Sequence, residues 1–445
     1  MSTKALAANI VDSQLDTLPA ETIHEAKKCF LNFLANAVGA HRHPSMAMML
    51  NVAKEMASTP QATVLGTDIR TDIQFAAILN GMSSSMFDFD DTFLDTILHP
   101  SAPVFPALVA WGEHKPLSGR LFLQAFVIGV EIEERVAQFL GRKGHYEKGW
   151  HVTGTAGTFG ATAAMGRVLG LSKEQMLYAI GIASTQTAGV RTMFGTYAKP
   201  IHAGKSAANG MISAMLAKEG MTSSLEPLEA PKGYGFLASD SCDASKLSAP
   251  WGKEWLIMKN TYKPYACGIV AHPAIDAAVR LRCRGVNASD IRSISLEVHP
   301  LALELTGKPE PKDTLEAIFS VYHGVAVGIL EGKAGNWQYT TERVCDDDVV
   351  AMRRKVKATA TSRMGVDQAL LKAELNNGEV VEIFVETVCG SLQNPLSDKD
   401  LEEKFKDMTS PYLSQPKQDK VCSLVWRLDQ EPSVQEIVDL CKSDK

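Results

Sequence analysis

The feature that most limits how this chain can fold is a change of hydrophobic period near Lys259. Before it, apolar residues recur every three or four positions; after it, part of the chain alternates. One element type cannot serve both patterns, because side chains return to one face of a helix after about 3.6 residues but to one face of a strand after about 2. At 445 residues the chain is also long for a single hydrophobic core.

In the first part, Ile23, Ala26, Phe30, Phe33, Leu34 and Ala37 share a helical face, with Pro19 and Glu21 suited to the first turn. Leu121 to Leu140 and Ser172 to Ala183 read as further helices. Thr153 to Leu169 is rich in Gly, Ala and Thr. Its Gly154, Gly157 and Gly160 lack the Gly-x-Gly-x-x-Gly order and follow no β-branched strand, so close helix packing is the expectation rather than a nucleotide loop. In the second part, Ile294, Leu296 and Val298 alternate with polar residues as a half-buried strand does. Leu371, Ala373 and Leu375 lead into Asn376-Asn377-Gly378, and Val381, Ile383 and Val385 lead away, which predicts a hairpin. Asn394-Pro395 ends the strand pattern, and Ser397 with Asp400 forms a capping-box signature. The expected fold is mainly α with a smaller α/β (α+β) domain. A helical domain is placed over residues 1–259, the smaller domain over 260–394, and a return to helix over 395–445.

A formal net charge of -6 argues against a nucleic-acid binder. Eight scattered cysteines form no Cys-x-x-Cys pair, so neither a disulfide framework nor a structural zinc site is indicated. No apolar run reaches bilayer-spanning length, and Met1 to Asp16 lacks a signal-peptide core. No membrane partner is expected. A soluble, reducing compartment fits, with the cytoplasm as the expectation and an organelle lumen left open.

The chemistry concentrates in Phe87-Asp88-Phe89-Asp90-Asp91-Thr92, followed by His99-Pro100-Ser101-Ala102. Three carboxylates in four residues repel one another and are costly to bury. They lie between the apolar segments Phe75 to Met86 and Val104 to Trp111, which points to a buried edge where a metal, cationic side chains or hydrogen bonds must meet them. Helix capping is the plain alternative. Elsewhere, His151 precedes the small-residue helix, Lys199, His202 and Lys205 fall within seven residues, Lys263 sits at the apparent domain junction, and Tyr322 and His323 adjoin. Any one of these can be structural. Together, a junction cleft lined by Asp, His and Lys suits a small polyanion such as a di- or tricarboxylate.

The segments Met86-Phe87-Asp88-Phe89-Asp90-Asp91-Thr92, His99-Pro100-Ser101, Gly149-Trp150-His151, Lys199-Pro200-Ile201-His202-Ala203-Gly204 and Tyr262-Lys263-Pro264-Tyr265-Ala266-Cys267 resemble, in that order, the MmgE/PrpD family. Its members include 2-methylcitrate dehydratase, cis-aconitate decarboxylase and iminodisuccinate epimerase. The resemblance implies a large helical domain with an α/β lid, a homodimer, and no metal or other cofactor. It places Asp88, His99, His151, Lys199 and Lys263 in catalysis, and Thr92 and His202 in substrate binding. Many members carry a tyrosine after Phe-Ser-x-x. A gapless match puts His323 there, with Tyr322 one place earlier, so both are candidate substrate contacts. The Thr92 to His99 spacing is about one residue longer than in the decarboxylases.

Removing a proton α to a carboxylate needs a base, and cations over the developing charge. The resemblance therefore implies a metal-free carbon–oxygen lyase, foremost the dehydration of a 2-alkylcitrate such as 2-methylcitrate. Cis-aconitate decarboxylation and iminodisuccinate epimerisation are alternatives, since the same groups permit all three. Two magnesium-dependent readings compete. Asp88-x-Asp90-x-Thr92 matches the haloacid-dehalogenase phosphatase signature, which should follow an apolar strand, yet Gly81 to Met86 is no such strand. Asp90-Asp91 with Asp95 resembles an isoprenoid-enzyme cluster, but Asp346-Asp347-Asp348 lies in the mixed region and supplies no second cluster there.

Overall fold

Helices dominate wherever the three-to-four-residue repeat runs. The computed structural model describes residues 2–56 and 59–444. Its first helices are α1 (Ser2–Asp12), α2 (Ala20–Gly39), α3 (Pro44–Glu55), α4 (Ile73–Ser84), α5 (Ser101–His114) and α6 (Gly119–Leu140). They are followed by α7 (Val152–Val168), α8 (Lys173–Ser184) and α9 (Ile201–Lys218). Polar caps set several starts: Asp72 accepts from the Phe75 amide at 2.9 Å, and Ser172 with Gln175 closes a capping box at α8. The chain then builds α10 (His272–Cys283), β1 (Ile291–Val298), α11 (Val321–Glu331), β2 (Val356–Ala360), β3 (Ala369–Leu375) and β4 (Val380–Val385). Helices α12 (Asp398–Thr409) and α13 (Gln415–Trp426) follow.

Two units separate. The large unit comprises residues 1–86, 90–260 and 401–445, and the small unit 87–89 and 261–400. In the large unit an aromatic cluster forms the core: Phe30 lies 4.9 Å from Phe105 and 5.0 Å from Phe122, centroid to centroid, and all three are fully buried. Truncating such a ring costs about 3–5 kcal/mol. Small residues let the remaining helices approach. A Cβ on Gly204 of α9 would stand 2.2 Å from the Ile78 carbonyl oxygen of α4, so only glycine fits that crossing. The Gly-rich stretch is likewise a packing helix, α7, buried on nearly every side and pressed between α6 and α9.

The small unit holds a four-stranded sheet in the order β2-β1-β3-β4. β1 pairs parallel to β2 and antiparallel to β3, and β3 pairs antiparallel to β4. Alternate residues of β3, from Ala369 through Leu371 and Ala373 to Leu375, are buried, and α10 packs on β3 and β4. The predicted hairpin is present. Its loop is Asn376-Asn377-Gly378, with Gly378 at φ +87° and the Leu375 amide donating to the Glu379 carbonyl at 2.8 Å. The predicted capping box is also present, Ser397 and Asp400 each binding the other's amide. Among the described residues no helix is long and apolar enough to cross a membrane, and all eight cysteines are free thiols.

Candidate active site

Asp88 and Asp90 begin different surroundings although one residue separates them. Asp88 belongs to the small unit and Asp90, Asp91, Thr92 and His99 to the large one. The chain reaches Asp88 from helix α4, not from a strand, which removes the phosphatase-like reading.

In the large unit the turn from Thr92 to His99 closes on itself. The Phe93 amide donates to the Leu98 carbonyl at 2.8 Å, and the Ile97 amide to the Phe93 carbonyl at 2.8 Å. His99 Nδ1 lies 3.0 Å from the Asp91 carbonyl, 3.0 Å from Thr92 Oγ1 and 3.5 Å from Asp90 Oδ1. A carbonyl only accepts, so Nδ1 carries the proton toward Asp91, and Nε2 is the basic nitrogen of the neutral ring. The His99 amide donates to Thr153 Oγ1 on α7 at 3.1 Å.

Asp91 is fully buried at the start of α5. Ser101 Oγ donates to it at 2.6 Å and Asn260 Nδ2 at 2.8 Å. Burial outweighs those bonds and, with Asp90 alongside, leaves its carboxyl pushed up to about 6. Behind it, α6 carries three acids in an otherwise apolar stretch. Glu131 is paired with Arg135 at 2.7 Å. Glu133 is fully buried with neither oxygen hydrogen-bonded among the described residues, and burial, then Asp91, then Glu134 raise its carboxyl well above the ordinary range. Glu134 accepts from Thr96 Oγ1 at 2.7 Å, and burial pushes it up to about 8.

His151, at the N-terminus of α7, meets His202 of α9 with the two Nδ1 atoms 2.9 Å apart. One must donate and the other accept, so only one of the two Nδ1 atoms carries a proton. Their centroids stand 5.1 Å apart, and those of His99 and His151 stand 6.4 Å apart. Burial, then the Lys199 charge, lower the His202 pKa. Lys199 Nζ stands 3.5 Å from Ser85 Oγ. Phe194 and His151 form a T-shaped pair with ring centroids 5.1 Å apart. The large unit thus brings together Thr92, His99, His151, Lys199 and His202.

In the small unit Lys263, almost fully buried, donates to the Asp88 carbonyl at 2.8 Å and pairs with its carboxylate at 3.1 Å. Asp88 itself is held at φ +52°, a left-handed conformation that Asp tolerates better than most residues. Tyr322 is half-buried on α11. His323, also on α11, is enclosed. It is 0% exposed, with Nε2 2.8 Å from the Gln338 carbonyl and Nδ1 3.5 Å from the Arg353 guanidinium. Burial holds its pKa down to about 4.

Sequence reasoning passed over Asn260, Thr153, Phe194 and the α6 acids. Glu131-x-Glu133-Glu134 does carry a signal, since charges inside the apolar run from Phe122 to Val136 need buried partners. Asn260 and Thr153 carry none, because their partners lie far along the chain.

The MmgE/PrpD N-terminal domain matches residues 4–245, and the MmgE/PrpD C-terminal domain matches residues 265–430. The cis-aconitate decarboxylase of Mus musculus is 26% identical, covering 98% of this chain and 94% of its own length. That of Homo sapiens is 26% identical, covering 96% and 92%. The 2-methylcitrate dehydratase of Salmonella typhimurium (strain LT2) is 25% identical, covering 74% and 72%. With both domain models matched in order over most of its length, the chain belongs to the MmgE/PrpD family.

Proposed function

We propose that this protein is a lyase acting on a citrate-like tricarboxylate, with cis-aconitate decarboxylation as the leading reaction. The observation that carries the acid–base part is the fixed tautomer of His99. Its Nδ1 proton is directed at the Asp91 carbonyl, 3.0 Å away, so Nε2 is the nitrogen able to accept and return a proton. The His151–His202 couple supplies a second proton carrier, and Lys199 a cation close enough to lower the His202 pKa. Lys263 is assigned to a substrate carboxylate through its match to the family motif, and Asp88, its ion-pair partner, to holding that ammonium in place. Thr92, in hydrogen-bond reach of His99, is assigned to a substrate oxygen. Tyr322 remains a candidate substrate contact, and His323 is not assigned one.

In a decarboxylation the carbon–carbon bond to the departing carboxylate breaks, and its electron pair stays on the adjacent carbon. His99, having first taken a proton from solvent at Nε2, then delivers that proton to the carbanion and returns to its neutral form. Ammonium groups near the remaining carboxylates stabilise the intermediate charge. The reading requires no metal, because its cations are lysines and protonated imidazoles.

Sequence motifs alone put 2-alkylcitrate dehydration first. Coverage favours decarboxylation: the relatives called cis-aconitate decarboxylase match over nearly the whole chain, whereas the dehydratase of Salmonella typhimurium matches over 74% of it. Dehydration stands second, supported by that relative and by the same set of imidazoles. Incubating the protein with cis-aconitate, 2-methylcitrate and iminodisuccinate, with and without EDTA, tests both. Carbon dioxide release from cis-aconitate is expected, insensitive to EDTA. Water loss from 2-methylcitrate alone would make dehydration the reaction. No turnover with any substrate, and no proton exchange by NMR in deuterated water, would refute the proposal.

A further inference from the structure

The turn carrying Thr92 and His99 is strained at Ile97, exposes only Leu94 and Asp95 at its tip, and is tied to a separate helix by one buried side chain, Thr96. Ile97 adopts φ +60°, a conformation that branching at Cβ makes costly. Left alone, such a residue would relax and carry the adjoining backbone with it. Two contacts oppose this. On one side, Thr96 Oγ1 donates to Glu134 Oε2 of α6 at 2.7 Å, and Gln138 Nε2 holds the other oxygen at 3.1 Å. On the other side, the His99 amide is bonded to Thr153 of α7. Thr96 and Glu134 are both nearly inaccessible to water, so neither can exchange this bond for one to solvent at no cost.

We infer that Thr96 and Glu134 are positioning residues for His99. Their hydrogen bond keeps the strained turn in the one shape that sets His99 Nδ1 against the Asp91 carbonyl. Neither residue touches the reacting atoms. Their effect passes through the backbone of residues 96–99 to the direction and tautomer of the imidazole, where a displacement of about 1 Å can cost about a hundredfold in rate. Glu134 acts here as an acceptor, and a glutamine carbonyl can replace it, whereas an apolar residue cannot. The inference rests on the acid–base role proposed for His99.

Four variants separate positioning from mere stability: Thr96→Val and Glu134→Leu remove the bond, while Thr96→Ser and Glu134→Gln keep it. In steady-state kinetics the first pair should lose about tenfold or more in kcat, with KM within about threefold. The second pair should stay within about threefold of the wild type. Equal losses in both pairs, or a near-normal kcat in the first, would overturn the inference. A second measurement does not depend on turnover. The His99 ring resonances, assigned by comparison with His99→Asn, should shift or broaden in Thr96→Val and stay in place in Thr96→Ser. Unchanged His99 resonances in Thr96→Val would overturn the inference even if the substrate proposal held. Shifted resonances in a protein that turns over none of the tested acids would support it while refuting the substrate proposal.

Discussion

Asp88 and Asp91 lie three residues apart and meet opposite surroundings. Asp88 keeps 24% of its side chain exposed and is ion-paired with Lys263 at 3.1 Å. Asp91 is buried completely and, among the described residues, is met by neutral donors, Ser101 and Asn260. The first is a charge held by a charge. The second has its carboxyl pushed up to about 6, because two good hydrogen bonds do not offset the loss of water. Neighbouring carboxylates therefore acquire different chemistry chiefly from their partners' charge and from depth. An ion pair of this kind suits the electrostatics of substrate binding; a neutral-bonded acid suits the anchoring of a backbone.

Four measurements sharpen or break that contrast, the largest effect first. Lys263→Ala removes the charge partner of Asp88 and should lower kcat by about a hundredfold or more, with an unchanged circular dichroism spectrum. Lys199→Ala should do the same in the large unit. Near-normal kinetics in either variant would exclude that lysine from the site.

The second measurement is stability against pH. Asp91 and Glu134 have folded-state pKa values raised to about 6 and about 8. Their contribution is therefore full below the ordinary carboxylate range and is lost as pH rises through those two values. His145 and His323, both held down to about 4, act oppositely, but only as pH falls below the ordinary imidazole range. Between about pH 7 and pH 8 Asp91 is already through its transition and the imidazoles have not begun theirs, so denaturant unfolding reports Glu134 and the more strongly raised Glu133, and stability should decline by about 1–2 kcal/mol. Glu134→Gln should flatten that decline; a flat profile in the wild type would contradict the burial argument.

Third, Ser101→Ala removes one donor from Asp91 and should cost about 1–3 kcal/mol in the same assay, because a buried acceptor loses its partner. Last, Gly378→Ala calibrates a position remote in sequence from both aspartates. Its φ of +87° predicts a loss of about 1 kcal/mol or less, with turnover unaffected.

Much of the fold is legible in the sequence because the signals are local. The Phe30 face of α2, the alternation in β3 and β4, the Asn376-Asn377-Gly378 loop and the Ser397–Asp400 cap each span a few residues, and each appears in the structure. The glycine pattern of α7 is legible for the same reason. The candidate site was legible as a set of residue types in family motifs, and its large-unit members do gather around His99 and His151.

What the sequence by itself determined is thus the element types, the hairpin, the capping and the family. Only the tertiary structure decided which acid meets which partner. Asp91 is bonded to Asn260 across 169 residues, and Lys263 donates to the Asp88 carbonyl across 175. His323, which motif position makes a ligand contact, is enclosed, and Glu133 and Glu134, silent in the motifs, lie buried behind the His99 turn. Periodicity and turn chemistry act over a few residues, whereas burial and charge pairing depend on surfaces that exist only once distant segments have packed.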